Sequence, residues 1–423
     1  MTRRLPFVLL VLLFTAGCQT TQEREVPAPS PVAEPERLPL EAHWQASAGT
    51  SAVDAFVAQL RGEALRRAVL RAAATDSLEK AYARLTSAQS ASRQARAVLS
   101  ELYGYRRAGG VLLGEEEKFL WRRLQERLNA GAPLTAAEVA LEMERARLSL
   151  AVQAARAWFH HQGIRRLREA VAAEVALRRQ VVDRHRTASR LEGRGRERVL
   201  AARKELARAE SRLKQLQKAE AQAARALMRL TGRKGAPRDG TAVSALPAGV
   251  KLATLAHRAD LAAALEPLTD MGLEPAWPDL TLVARGEGVS RDLARLARLE
   301  PVDLAARLGL DAEGPQREAV LAFAGRLQGV LRQVRSLLYG IGRLQVQRQK
   351  LQTALAEAKR ETNRLRARYS ARRADLLEIL DAQIRATDFG GRAAYVERRL
   401  QDQRAVVWMA LGLPAAPGRS PRL

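Results

Sequence analysis

The stretch RYSARRADLLEILDAQ, residues 368–383, decides how the chain is read. A basic, polar piece runs straight into an amphipathic pattern. Leu376, Leu377, Ile379 and Leu380 open an apolar face, and Glu378 and Asp381, three residues apart, share another face. The apolar face continues downstream through Ile384, Phe389, Tyr395, Val396, Leu400, Val407 and Leu411. Upstream, Leu327, Val330, Leu331, Val334, Leu337, Leu338, Ile341, Leu344, Leu351 and Leu355 recur at the same mixture of three- and four-residue steps. The spacing predicts two long helices, about 316–372 and 374–411, reversing near 368–375. Ala and Arg fill the remaining positions, so each seam is narrow, as in coiled-coil packing.

The same plan occurs earlier in the chain. ALMRLTG ends at Gly232 and VVWMALG at Gly412, 180 residues apart. At that offset Val199-Leu200-Ala201-Ala202-Arg203 lies on Ile379-Leu380-Asp381-Ala382-Gln383, and ERLNAGAPLTAAEVA from Glu126 lies on ARLGLDAEGPQREAV from Ala306. Arg184-His185 pairs with Arg368-Tyr369 at an offset of 184, which places four extra residues in the first turn, TASRLEGRGRER. A unit this long is a duplicated half-protein rather than a solenoid repeat. The first half is expected to hold helices over about 135–186 and 196–230 around a turn near 187–195. At 1.5 Å per residue the longer helices reach roughly 75–85 Å, more than any globular core needs. Two antiparallel helices per half leave a second seam open, so association with further chains is expected.

The chain opens MTRRLPFVLLVLLFTAGCQT. Arg3 and Arg4 precede an apolar run, Leu5–Phe14, too short to span a bilayer, and small residues follow it. This is the pattern of an export signal over residues 1–17. Cys18, the only cysteine, follows Thr15-Ala16-Gly17 and resembles a bacterial lipobox. That resemblance implies cleavage before Cys18 and acylation there; the alternative is an ordinary signal with a stray thiol. Several acyl chains anchor a protein stably, and Gln19 in place of Asp favours an outer-membrane address. Pro27, Pro29, Pro31, Pro35 and Pro39 make residues 18–46 an extended tether. The first repeat then occupies 47–240, the second 241–414, and 415–423 is a tail. The charge of +25 would suggest nucleic acid in a cytosolic protein. Export removes that partner, and solvated basic helix faces are the reading preferred here, with anionic lipid second.

Strand signals are short. PDLTLVARGEG alternates Leu280, Leu282 and Ala284, and VDLAARLGLDAEGP alternates Val302, Leu304, Ala306, Leu308 and Leu310. ELYGYRRAGGVLL and WRRLQERLNAG hold the equivalent places in the first half. Arg106, Arg107, Arg127, Arg285 and Arg307 suit a lipid-facing strand poorly.

Duplicated helical hairpins, joined through strand hairpins and led by a lipobox, resemble the TolC-like outer-membrane efflux proteins. The residues that carry the likeness are Arg368-Tyr369, Asp375-Leu376-Leu377, Leu380-Asp381-Ala382-Gln383 and Leu411-Gly412, with HRADLAAA at His257 similar to the family's Arg-Pro-Asp-Leu opening of the second half. Ala259 replaces the proline, and Pro267 and Pro275 interrupt a connecting stretch shorter than the family's. Coverage runs from about 53 to 414. The resemblance implies a mainly α protein: duplicated long antiparallel hairpins forming a coiled-coil α-barrel as a homotrimer, with short β hairpins that make at most a small or reduced membrane barrel. It implies a passive outer-membrane channel of a tripartite efflux or type I export system, anchored in outer-membrane lipid, with most of the chain in the periplasm. The expected partners are a periplasmic adaptor and an inner-membrane transporter. It places residues 368–383 at the periplasmic tip. Glu378 and Asp381 would form acidic rings at the pore constriction, and Arg184, His185, Arg368, Tyr369, Asp375 and Leu376 would lie at the tip and adaptor contact. Ordinary solvated acids at a helix N-terminus are the other reading of that pair.

No catalytic site, cofactor or metal site is expected. His160 and His161 are adjacent, so on a helix they diverge by about 100°, and Gly193-Arg194-Gly195 lacks the Lys-Ser/Thr of a phosphate loop. Two other readings stay open: a structural envelope lipoprotein without a pore, supported by the weak strands, and a periplasmic adaptor, disfavoured because its β-rich flanks are missing.

Overall fold

The computed structural model describes residues 52–74, 80, 126, 136–192, 195–232, 242–243, 250–282, 284–285, 288–310, 314 and 316–411. All fall in the compact unit Trp44–Leu423. Cys18 and the tether, the first-half strand candidates, residues 193–194 and the tail lie outside them.

Four long helices make the body: α3, Ala136–Glu192, α4, Arg196–Thr231, α8, Gln316–Ser370, and α9, Leu376–Ala410. Shorter elements precede each pair. α1, Ala52–Ala58, β1, Leu60–Arg61, and α2, Glu63–Ala73, lead the first. The second is led by β2, Ala242–Val243, β3, Val250–Lys251, a 3-10 turn Leu252–His257 and α5, Ala259–Asp270. Then come β4, Thr281–Leu282, β5, Ala284–Arg285, β6, Gly288–Val289, α6, Arg291–Leu296, and α7, Pro301–Arg307.

α3 pairs with α4 and α8 with α9, and α9 packs along α3, so the order across the layer is α4–α3–α9–α8. The helices alternate in direction: Arg156 of α3 meets Asp402 of α9 through two bonds (2.5 and 3.1 Å), while Leu167 further up α3 meets Gly391. α9 has long neighbours on both sides and buries eleven residues; α4 has one long neighbour and buries only Ala209, Ala223, Leu227 and Thr231. The seam expected in α8 is real, with Leu327, Val330, Leu331, Val334, Leu338, Ile341 and Leu344 all buried.

Two glycines let α3 and α9 approach closely. A Cβ at Gly163 would lie within 2.7 Å of Arg398 Cβ, Cγ and Cδ, and one at Gly391 would meet Leu167 Cδ1 at 3.2 Å and Ala170 Cβ at 3.3 Å. Each helix therefore receives the other's side chains on a bare backbone.

The apolar core is thick at the base and thin at the tips. One cluster joins α5, α6 and α7 to the first half of α8 and the end of α9; another joins α1 and α2 to α3, Leu227, Ala405 and Trp408. At the second tip only Leu365, Ile379 and Ala382 form a core.

Four details depart from the sequence expectation. α3 and α8 start 180 residues apart, and so do α4 and α9, so there is no net insertion in the first turn. α3 instead stays helical through Glu192. Its reversal uses Gly195 at φ +99, a conformation easy for glycine alone. Val302–Leu310 is no strand. Pro301 starts α7, and the buried Leu304, Ala305 and Leu308 follow helical spacing, while Val302 and Ala306 are exposed. Pro267 does not interrupt α5, which runs through it. The strands pair antiparallel as β1–β2, β3–β4 and β5–β6, two residues each, against the roughly nine to eleven that span a bilayer. No described helix is long and apolar enough to cross a membrane.

Candidate pore tip and a buried anchor

The second tip is built by Arg368 to Asp375. α8 ends when Arg372 turns to φ 59, a left-handed conformation unusual for a side-chain-bearing residue. Local bonds hold it: Arg372 N–H donates to Tyr369 O (2.9 Å), Arg373 N–H to Arg368 O (2.8 Å), and the Arg368 guanidinium donates to Arg373 O (3.2 Å). Asp375 is the N-cap of α9 in extended conformation, without a side-chain cap bond. Leu376 packs under the turn, whereas Tyr369 is 47% exposed.

Glu378 and Asp381 both start α9, both are exposed, and neither meets a cation within 4 Å among the described residues. Arg372 and Arg373 lie nearby in sequence without pairing to them. Their neighbours Ile379, Leu380 and Ala382 are buried, so packing fixes the helix face that turns both carboxylates to water. The first tip is different. Arg184 and His185 sit eight and seven residues before the end of α3, not at its reversal, and Arg186 pairs with Asp183 at 3.3 Å. At the 180-residue register Ala188 and Ser189 stand where Arg368 and Tyr369 stand in the second half. The structure thus brings Arg368, Tyr369, Asp375, Leu376, Glu378 and Asp381 together at one tip and leaves Arg184 and His185 on the shaft of the other hairpin.

His160 and His161 diverge as expected. His160 Nδ1 meets the Arg398 guanidinium of α9, and the buried His161 lies toward Glu220 of α4. Burial lowers the pKa of both; Arg398 lowers His160 further, and Arg165 lowers His161 against the raising effect of Glu220. Among the described residues no three His, Cys, Asp or Glu side chains converge on a metal position.

The most deeply buried charged group lies in the HRADLAAA stretch, which the sequence marked only as a family likeness. Arg258 and Asp260, 1% and 0% exposed, form a bidentate pair (3.0 and 3.1 Å). Arg326 of α8 donates to the same carboxylate (3.0 Å), as does Leu261 N–H (3.0 Å), and Arg258 also donates to Ala410 O at the end of α9. Burial raises the Asp260 pKa, but Arg258, by charge and hydrogen bond, and then Arg326 overcome it and hold the carboxyl below its usual range. Arg-x-Asp ahead of an apolar run was the available signal. The cluster fastens the start of the second half to both helices of the second hairpin.

A groove of about 530 Å³ runs over α9 in its tip half, lined by Ala173 and Ala176 of α3, Lys359 and Thr362 of α8, and Gln383 and Ala386 of α9.

Searches of protein-family models and of curated proteins return no match for this chain. Solved structures do match. CusC, studied for conformational changes accompanying folding and transmembrane channel formation, aligns at a TM-score of 0.56 and 19% identity over 82% of this chain and 97% of its own. The outer-membrane channel OprN aligns at 0.53 and 18% over 87% and 94%. The Campylobacter jejuni outer-membrane channel CmeC aligns at 0.52 and 15% over 85% and 87%. The chain is TolC-like in fold: mainly α, with paired long hairpins and few strands.

Proposed function

We propose that the chain is the outer-membrane channel component of a tripartite efflux or type I export system, a passive conduit driven by an inner-membrane transporter through a periplasmic adaptor. The observation that carries this is the α4–α3–α9–α8 layer, whose outer helices α4 and α8 each have one long neighbour among the described residues, in a fold shared with outer-membrane channels over most of the chain. A layer of this kind closes when three copies join edge to edge into a helical barrel. Cys18, acylated, anchors the mature chain in the outer membrane. The groove over α9, walled largely by apolar surface from Ala173, Ala176, Leu177 and Ala386, suits the side chains of an adaptor helix, with Arg368, Tyr369, Asp375 and Leu376 at its tip end.

Glu378 and Asp381 then ring the periplasmic constriction and favour cations, because carboxylates repeated around a narrow bore reinforce one another. Single-channel recording under a salt gradient tests this. Glu378→Ala/Asp381→Ala is expected to lose cation selectivity and multivalent-cation block while keeping conductance; an unchanged reversal potential overturns the acidic ring. Intact mass of membrane-extracted protein tests Cys18: an acylated N-terminus is expected, and an unmodified mass refutes the anchor.

A second reading, for which the two-residue strands among the described residues leave room, is a pore-free envelope lipoprotein bridging layers with the same hairpins. Purified trimers that never conduct would select it.

A further inference from the structure

Where the two halves of the chain are stitched together, three guanidiniums gather around one carboxylate. Glu397, Gln401 and Arg404 follow one another by four and three residues, so they share one face of α9. β2 lies on that face: Gln401 Oε1 accepts from Val243 N–H (2.7 Å), and Arg404 donates to Val243 O (3.4 Å). β1 pairs with β2, Arg61 opposite Ala242, so the exposed Arg61 enters from the first half. Arg348 comes from α8, and its guanidinium donates to Glu397 Oε2 (3.2 Å).

The donors in this niche outnumber the acceptors. Both oxygens of Glu397 are engaged, Oε2 by Arg348 and Oε1 by Gln401 Nε2 (2.6 Å). Among the described residues no other carboxylate lies within 4 Å of Arg61, Arg348 or Arg404. Arg348 Nε is buried without an acceptor, and Arg404 makes only its one long bond to Val243. Three positive charges against one negative leave an excess of two, in a niche where the Arg348 and Glu397 side chains are 34% and 30% exposed. Burial lowers the Arg404 pKa; Glu397 opposes this, and the like charges of Arg348 and Arg61 add to it. Half-buried cations with unmet donors are costly alone and favourable around an anion.

We propose that Arg61, Arg348 and Arg404 form a binding site for a phosphate group, either free phosphate or the phosphate of a monoester headgroup. A phosphate dianion matches the excess of two charges, and its oxygens match the forks of the guanidiniums. The site draws on β1, β2, α8 and α9 of one chain, so it goes beyond the channel reading and does not rest on it. Filled, it clamps the segment between the halves onto the second hairpin.

The probe is inorganic phosphate, titrated calorimetrically onto the full chain in detergent, beside glycerol phosphate and acetate. One site per chain is expected, with phosphate at least about tenfold tighter than acetate, the worth of one charge-assisted bond. Affinity should rise between about pH 5 and pH 7, as the second proton leaves a phosphate monoester with a pKa near 6. Tighter binding of glycerol phosphate assigns a headgroup, and equal or weaker binding assigns the free anion. Arg61→Gln should weaken binding about tenfold, and Arg404→Lys, which keeps the charge and loses the fork, less than Arg404→Gln. Glu397→Gln removes the competing carboxylate and should tighten binding, a gain that a purely structural network does not give. Circular dichroism should show unchanged helix content in each variant. No binding at millimolar phosphate, binding that Arg61→Gln/Arg404→Gln leaves intact, or weaker binding by a folded Glu397→Gln overturns the proposal.

Discussion

α4 and α9 are the same element of a duplicated half, yet they behave as different helices. α9 lies between α3 and α8 and buries eleven residues; α4 has α3 as its one long neighbour among the described residues, with a short contact to α2, and buries four. They also end differently. Gly232, at φ 65, closes α4 locally through its N–H to Met228 O (2.8 Å), whereas the last carbonyls of α9 receive a buried arginine from a distant segment. Duplication supplies a hairpin twice, and place in the layer decides which faces become core. The face that α4 does not bury has become basic instead.

The comparison is broken hardest at the base. Asp260→Asn removes the charge that compensates Arg258 and Arg326 in a site without water access. Stripping one partner from a buried ion cluster costs about 3–5 kcal/mol, so denaturant titration should show a large loss of stability in the second hairpin. The same cluster sets an acid limit. A carboxyl held below its unfolded pKa contributes stability above that unfolded value and loses it as pH falls through the folded one. The Asn variant should therefore lose part of the wild type's stability decline on the acid side of the ordinary carboxylate range.

A matched pair sharpens the contrast. Leu200 and Leu380 are equivalent in the repeat, but Leu200 is 62% exposed and Leu380 2%. Leu380→Ala should cost about 2–4 kcal/mol and Leu200→Ala less than about 0.5 kcal/mol in thermal or urea unfolding. Equal costs would mean that α4 is covered in the isolated protein.

The smallest effect concerns the histidines at the seams of α3. Their folded pKa values lie below the unfolded value, so below about 6.5 the unfolded chain takes up protons that the folded chain refuses, and stability falls as pH falls. His160→Gln/His161→Gln should flatten that slope between neutral and mildly acidic pH, read from midpoints of urea unfolding.

The long hairpins were legible because their apolar spacing is local and repeats over many turns. The tip of the second hairpin was legible for the same reason: the seam of α9 resumes at Leu376 just after a basic turn. Residues 302–310 misled because five alternating aliphatics satisfy a period of two, while Pro301 and the packing of Leu304 and Leu308 against α8 impose a helix. Arg184-His185 misled because a dipeptide likeness was weighed above the constant helix spacing. The Arg258–Asp260–Arg326 cluster joins residues more than sixty positions apart, and nothing in a one-dimensional pattern marks Arg326 among so many arginines.

The reciprocal fit at Gly163 and Gly391 has a mechanical consequence. A side chain of α9 rests in a notch on α3, and a few residues away side chains of α3 rest in a notch on α9. Two opposed notches act as a key and keyway: neither hairpin can slide lengthwise along the other without driving a side chain into backbone. The inner pair α3 and α9 is thus keyed in one lengthwise register.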